Sequence, residues 1–369
     1  MRTLVISDLH LGAAKGTDLV RRPELREPLL EVVRGIDRLV ILGDAVELRD
    51  RPKRDVAALV APVFADLGAA LGPDGELLMV GGNHDHGLVA GWIDARLETE
   101  RSGFLRLEQR IEPRDAGPFA AALAEHAAPA RTSFAYPGVW LRDDVLAIHG
   151  HYSDLHATVP TFERLATGAM ARWVVRLPEE GATPDDYEAA LAPLYAWMNA
   201  LTQRSDRAVL SAGAGASARA WVTLAGHERR SLRSAALRVG YAGVVAGLNA
   251  AGLGPLERDL SGASLRRGYL HGIREVVHRL GITAPYLLWG HSHRAGPFEV
   301  DDLAEWLAPG GTEILNTGSW VYQRHFLSER PNGTPYWPGT AVLVEDDGPP
   351  RLIRLLGERG HRELEPLLA

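Results

Sequence analysis

The sequence predicts an α/β fold with its functional residues gathered at the carboxyl edge of a sheet, and two observations carry that prediction. Short apolar, β-branched runs recur along the chain and stop abruptly at polar residues. Helix-like stretches separate them. Strands alternating with helices, with polar residues at the strand ends, give such an architecture.

The elements follow in order. Thr3-Leu-Val-Ile6 runs into Ser7-Asp8, Leu39-Val-Ile-Leu42 into Gly43-Asp44, and Leu77-Leu-Met-Val80 into Gly81-Gly-Asn-His-Asp85. Arg26 to Arg34 and Asp55 to Leu71 read as the intervening helices. Val139-Trp-Leu141 and Val145-Leu-Ala-Ile148 flank Arg142-Asp-Asp144 as a β-hairpin that delivers His149-Gly-His151. Tyr286-Leu-Leu-Trp289 runs into Gly290-His-Ser-His293, and Glu313-Ile-Leu315, Thr340 to Val344 and Arg351 to Leu355 read as the last strands. Between about Asp154 and Glu275 no strand signal occurs. That stretch is rich in Ala, Leu and Arg at helical spacing and reads as a helical insertion between two halves of one domain.

Composition narrows the chemistry. The chain has 369 residues, 46% of them hydrophobic and 24% charged, enough for a large core with an insertion. With no cysteine, disulfides, thiolate zinc sites and Cys nucleophiles are excluded, so any metal must sit on His, Asp, Glu or Asn. The N-terminal apolar run is too short for a signal-peptide core, and Ala235 to Leu253 is interrupted by Arg238 and Asn249. A soluble, cytoplasmic protein is therefore expected, with no transmembrane segment. The net charge of −7 argues against a broad nucleic-acid-binding surface.

Five segments concentrate chemistry: Asp8-Leu-His10, Gly43-Asp44, Gly82-Asn-His-Asp85, His149-Gly-His151 and Gly290-His-Ser-His293. Side chains alternate along an extended chain, so Asp8 and His10 are expected on one side of it. Glycines beside them remove side chains where backbone and ions approach closely. Oxygen ligands mixed with imidazoles suit divalent Mn, Fe, Zn, Ni or Co. Two such ions about 3.5–4 Å apart clamp a phosphate and activate water.

In this order the segments resemble the calcineurin-like metallophosphoesterase superfamily, whose motifs run D-x-H, G-D, G-N-H-[DE], H and G-H-x-H. The resemblance covers roughly residues 1–153 and 276–356. It implies a four-layer α/β/β/α sandwich and leaves the insertion unassigned; with the helical stretch read above, the expectation is a discontinuous catalytic domain of residues 1–153 and 276–369 with a mostly helical cap at 154–275. It implies a phosphoesterase working with two divalent ions, manganese first, whose bridging hydroxide attacks a phosphodiester, pyrophosphate or phosphomonoester. Asp8, His10 and His293 would hold one ion; Asn83, His149 and His291 the other; Asp44 would bridge them. His84 would sit over the phosphate as the catalytic group, with Asp85 accepting its other ring proton. His151, His86 and Asn316 are expected to face substrate or brace the ligands. Alternatives on the same fold are a DNA exonuclease and a non-catalytic scaffold. The exonuclease calls for a basic groove, and a scaffold loses ligands that this chain keeps.

Within the insertion, seven arginines between Arg204 and Arg238 face only Asp206 and Glu228, a local net charge of +5. Arg229, Arg230 and Arg233 are the expected steering residues for an anionic substrate, and the small apolar residues from Ala235 to Leu256 suggest a lid for an acyl chain or peripheral membrane contact. Ser7-Asp-Leu-His-Leu-Gly12, Gly150 and a helical insertion after it are similar to the UDP-2,3-diacylglucosamine pyrophosphatase branch. His151 stands where that branch usually has Asp, and the insertion is longer. The resemblance therefore implies only a substrate class, a lipid-linked or nucleotide phosphoester.

Overall fold

Alternation along each strand decides how the layers form. The computed structural model describes residues 1–98, 103–160, 162–173, 175–203, 232–259 and 261–366. Its strands are β1 (Thr3–Ile6), β2 (Arg38–Leu42), β3 (Glu76–Val80), β4 (Glu108–Ile111), β5 (Arg131–Arg142), β6 (Val145–Ile148), β7 (Tyr286–Trp289), β8 (Glu313–Asn316), β9 (Thr340–Val344) and β10 (Arg351–Arg354). The helices are α1 (Pro23–Val33), α2 (Lys53–Leu71), α3 (Ala90–Glu98), α4 (Pro113–Ala116), α5 (Pro118–His126), α6 (Phe162–Trp173), α7 (Pro184–Gln203), α8 (Leu232–Ala250), α9 (Gly262–Arg279) and α10 (His361–Leu364).

On the first three strands Leu4, Ile6, Leu39, Ile41, Leu77 and Met79 pack outward with α1, α2 and α5. Their alternate neighbours Val5, Val40, Leu42, Leu78 and Val80 face inward, against Val145, Ala147 and Leu288 from the other half. In that half Leu146, Ile148, Leu287, Trp289 and Ile314 turn outward to α7 and α9. Period-two alternation thus builds three cores between four layers, the α/β/β/α sandwich.

The two β layers are one hydrogen-bonded sheet. Its order is β10-β9-β1-β2-β3-β5-β6-β7-β8, with β4 attached to β5. The twelve-residue β5 joins the halves: Arg131–Ala135 pairs with β3 in parallel, while Gly138–Arg142 pairs with β6 as an antiparallel hairpin. Phe134 and Tyr136 lie in the first outer core, Ala135, Val139 and Leu141 in the inner one. A strand long enough to serve both halves lets the sheet fold over without breaking its ladder.

Strands β1, β2, β3, β6 and β7 all deliver polar residues from their carboxyl ends, and parallel pairing of β1–β2–β3 and β6–β7–β8 puts those ends on one rim. The expected strands are all present. Two were not read: β4, a short charged edge strand, and the first half of β5, where Arg131-Thr-Ser133 lacks an apolar signal. Among the described residues no helix is long and apolar enough to cross a membrane, α8 included.

Candidate metal centre

The backbone itself marks the rim. Among the described residues, the non-glycine positions with positive φ are Asp8 (54°), His10 (46°), Asp44 (51°), His291 (64°), His293 (59°) and Asn332 (57°). All but Asn332 are predicted ligands. Left-handed backbone is uncommon for side chains of this kind and concentrates at functional sites. It also corrects the alternation argument: β1 ends at Ile6, and turns at Asp8 and His10, rather than strand pleating, bring the pair together. Two glycines are required by close approach. A Cβ at Gly43 would stand 2.2 Å from His149 Nδ1, and one at Gly82 2.3 Å from Asp44 Oδ1.

The predicted ligands converge in two groups, which a third of His10, Asp44 and His84 joins. Asp8, His10 and His293 bring one donor atom each within 4.8 Å of one another, as do Asp44, His149 and His291. In the first, His293 Nε2 lies 3.3 Å from Asp8 Oδ1 and 3.2 Å from His10 Nε2. In the second, Asn83 Oδ1 lies 3.1 Å from His149 Nε2 and 3.2 Å from His291 Nδ1. Asp44 Oδ2 stands between the groups, 3.3 Å from His149 Nε2 and 3.6 Å from His10 Nε2.

Each imidazole has one nitrogen turned inward because an acceptor holds the other. Glu47 accepts from His10 Nδ1 at 3.0 Å, the Leu42 carbonyl from His149 Nδ1 at 2.9 Å, Asp154 from His291 Nε2 at 2.8 Å, and Gln323 from His293 Nδ1 at 3.2 Å. Such outer acceptors fix the tautomer and aim the ligating nitrogen. Their other nitrogens therefore face one another, the carboxylates and Asn83, and Asp8 Oδ1 is buried with no hydrogen-bond partner. Asn83 tells the same story. Turned over, its amide would donate to Asp44, His149 and His291 and accept from Arg49 Nη2 at 3.0 Å. Oxygen inward is the orientation a cation requires. The donor set fits divalent cations.

Electrostatics agree. Burial opposes charge on His149, yet the adjacent Asp44 carboxylate outweighs it and lifts the ring to about 10. Burial likewise opposes charge on His10, and the Glu47 hydrogen bond with Asp44 lifts it to about 9. Burial also disfavours ionised Asp8 and Asp44, but the facing imidazoles, His293 and His149 foremost, hold both below the ordinary carboxylate range. The cluster attracts positive charge.

The catalytic pair differs from expectation. His84 sits beside the ligands, its backbone N–H donating to Asp44 at 2.8 Å, and its ring packs edge-on to His10 with centroids 4.5 Å apart. Asp85 does not touch it. That buried carboxylate points back into its own loop, accepting from Gly82 N and Ala45 N at 2.7 Å each, and burial with the nearby Asp44 charge raises it to about 7. Glu47 takes the expected role, accepting from His84 Nδ1 at 2.7 Å. Arg49 Nη1 stands 3.3 Å from His84 Nε2. Burial, and then the Arg49 charge, hold His84 below the usual imidazole range.

The three supporting candidates are buried. Asn316 is fully buried; its amide donates to Gly290 O at 2.7 Å and Ser292 Oγ at 3.1 Å and its oxygen accepts from Gly318 N, bracing the 290–293 loop. His86 Nε2 is 3.2 Å from Glu188 of α7, and His151 Nε2 3.2 Å from Tyr136 OH. Arg229 and Arg230 lie outside the described residues. Arg233 falls in α8, with its side chain outside them.

Glu47, Arg49, Asp154 and Gln323 escaped the sequence reading. Glu47, three residues after Asp44 in the loop that follows β2, carried a signal through its spacing. Asp154 and Gln323 carried none.

The calcineurin-like phosphoesterase family profile matches residues 1–228, ending before His291 and His293. Comparison with curated proteins finds no match. Among solved structures, a dimetal phosphatase from Danio rerio aligns at 11% identity and a TM-score of 0.33, covering 96% of this chain and 99% of that one.

Proposed function

The chain belongs to the calcineurin-like phosphoesterase family and is a metal-dependent phosphoesterase, and on that footing we propose which residues do its work and on what. Asp8, His10 and His293 hold one divalent cation, Asn83, His149 and His291 the second, and Asp44 serves both. When bound, the pair supplies positive charge for the phosphoryl oxygens and lowers the pKa of an attacking water. The observation that carries this reading is the four imidazoles, each held at one nitrogen by an outer acceptor and presenting the other to its ligand group.

The chain's own residues do the rest. Glu47 keeps the proton of His84 on Nδ1, leaving Nε2 to face the reacting group beside Arg49. A phosphoryl oxygen arriving there would accept from the Arg49 N–H and free the Nε2 lone pair to take a proton from the attacking water, which the ring can then hand to the leaving oxygen. Manganese is the preferred pair, given the balance of carboxylate, amide and imidazole donors. The substrate is a lipid-linked or nucleotide phosphoester, for which the arginine-rich part of the 154–275 insertion supplies attraction. The remaining residues, 1–153 and 276–369, form the catalytic body. Every ligand position lies in that body, and α7 of the insertion reaches its rim.

The test is hydrolysis of nitrophenyl phosphodiester and monoester substrates by chelator-stripped protein supplemented in turn with Mn, Fe, Zn, Ni and Co. Activity should return with Mn. No turnover of either ester with any metal would defeat the reading.

A further inference from the structure

Tyr195 is an oddity that the metal centre does not explain. It lies on α7, 4% exposed, and its hydroxyl has no hydrogen-bond partner. Its ring packs on His86 and His151, with centroids 5.2 and 5.8 Å away, and the Arg49 guanidinium carbon stands 5.6 Å from its centre. The same guanidinium reaches His84 Nε2 at 3.3 Å. Tyr195, Arg49 and His84 therefore form one edge running from the insertion to the metal ligands.

The helix is fixed to hold this edge. Seven residues before Tyr195, buried Glu188 accepts from Tyr136 OH at 2.5 Å and Tyr152 OH at 2.7 Å. Seven residues after it, Thr202 Oγ1 donates to the Arg49 carbonyl at 3.0 Å. Spacings of seven lie on one helix face. The hydroxyl stays protonated: burial, then the carboxylates of Asp154, Glu188 and Asp44, outweigh the Arg49 charge and raise its pKa well above the ordinary phenol value. A buried donor without an acceptor is costly and calls for one.

We propose that Tyr195 is a substrate-contacting residue, its hydroxyl donating to a non-bridging phosphoryl oxygen beside Arg49. The insertion thereby completes the phosphoester-binding edge. This rests on the phosphoesterase reading above. The competing acceptor is Asp154 Oδ2, itself without a partner; a hydroxyl serving Asp154 would act on His291 and the second metal instead.

Tyr195→Phe removes the hydroxyl and keeps the ring. With Mn-loaded protein, kcat/KM for a nitrophenyl phosphodiester should fall about 10- to 100-fold, the effect of one hydrogen bond to a charged group, and inorganic phosphate should inhibit at least about 10-fold more weakly. Mn affinity should not change. The melting temperature of the ligand-free variant should hold or rise, because an unmet buried donor is gone. Wild-type turnover and phosphate inhibition in the variant would overturn this proposal alone. So would weaker binding of the second Mn, which would assign the hydroxyl to Asp154. A wild-type protein that neither hydrolyses the ester nor binds phosphate would overturn the functional reading, and this proposal with it.

Discussion

Removing the charge of Glu47 tests how far one carboxylate organises the centre. Its Oε2 accepts from His84 Nδ1 at 2.7 Å and His10 Nδ1 at 3.0 Å, and its Oε1 from the Arg49 N–H at 2.9 Å. The side chain is buried, and although burial favours its neutral form, the two imidazoles, His84 first, hold it well below the ordinary carboxylate range. In Glu47→Gln one oxygen can still accept, but the amide NH2 must face an N–H. Each charge-assisted bond is worth about 1.5–3 kcal/mol, so losing one and weakening another leaves His10 free to turn. Metal affinity should fall about 10- to 100-fold, as when an outer acceptor of a ligand is lost, or about 1.4–2.7 kcal/mol. Turnover at saturating Mn should fall about 100-fold more through His84. Calorimetric titration with Mn reads the first effect and kcat the second. In Glu47→Gln/His84→Ala, kcat should drop no further than in His84→Ala, while the loss of affinity persists. Unchanged Kd and kcat in the single variant would refute the reasoning.

Asp44→Asn should lose nearly all activity and both metals, whereas His84→Ala should keep both and lose about 10²- to 10⁴-fold in rate; elemental analysis of the two separates the roles, and a metal-free His84→Ala would reverse the assignment. Asp85→Asn should lower stability by about 1–3 kcal/mol, because an amide cannot accept from both Gly82 and Ala45 N–H, yet leave kcat of the folded fraction intact, as thermal melts and kinetics would show. In metal-free protein His149 and His10 titrate near 10 and 9, above the ordinary imidazole value of 6.5. Raised folded values mean stability present below about pH 6.5 and lost as pH climbs through 9 to 10, so the melting temperature of chelated protein should fall over that range. Metal uptake should strengthen with pH and release protons, measurable in weak buffer.

What the sequence disclosed followed from physics that acts locally. Apolar runs such as Leu39–Leu42 must be buried, and a run that stops at Gly43-Asp44 announces a strand end with polar business there. Both ligand groups were legible in that way. The partners of the ligands were not. His149 is held by a backbone carbonyl, which no residue type encodes, and His293 by Gln323, thirty positions distant and unremarkable in its own context. Asp85 misled because adjacency in sequence suggested adjacency in space, whereas a tight loop turned it toward backbone N–H groups and left His84 to a carboxylate from the loop after β2. The join through β5 was hidden because Arg131-Thr-Ser133 and Pro137 weaken the strand signal where the chain passes between layers.

The left-handed residues set what the sandwich must withstand. A side chain in that region costs roughly 1–2 kcal/mol, so Asp8, His10, Asp44, His291 and His293 together store about 5–10 kcal/mol, comparable to the whole stability of an ordinary domain. Asp and His tolerate such backbone better than branched residues, which puts the cost toward the lower end. It is sustained because each turn is tied to a strand end. Asp8 N–H donates to Gly43 O at 3.1 Å and His10 N–H to Asp44 O at 2.8 Å, so the first two ligand turns hold each other. Trp320 N–H donates to Asp8 O at 3.1 Å and Thr317 N–H to Trp289 O at 2.9 Å, bringing the segment after β8 against the end of β1 and the end of β7. One sheet running through β5 keeps these strand ends in register, so the strain is borne by the ladder as a whole, and the ligands reach their positions before any cation arrives.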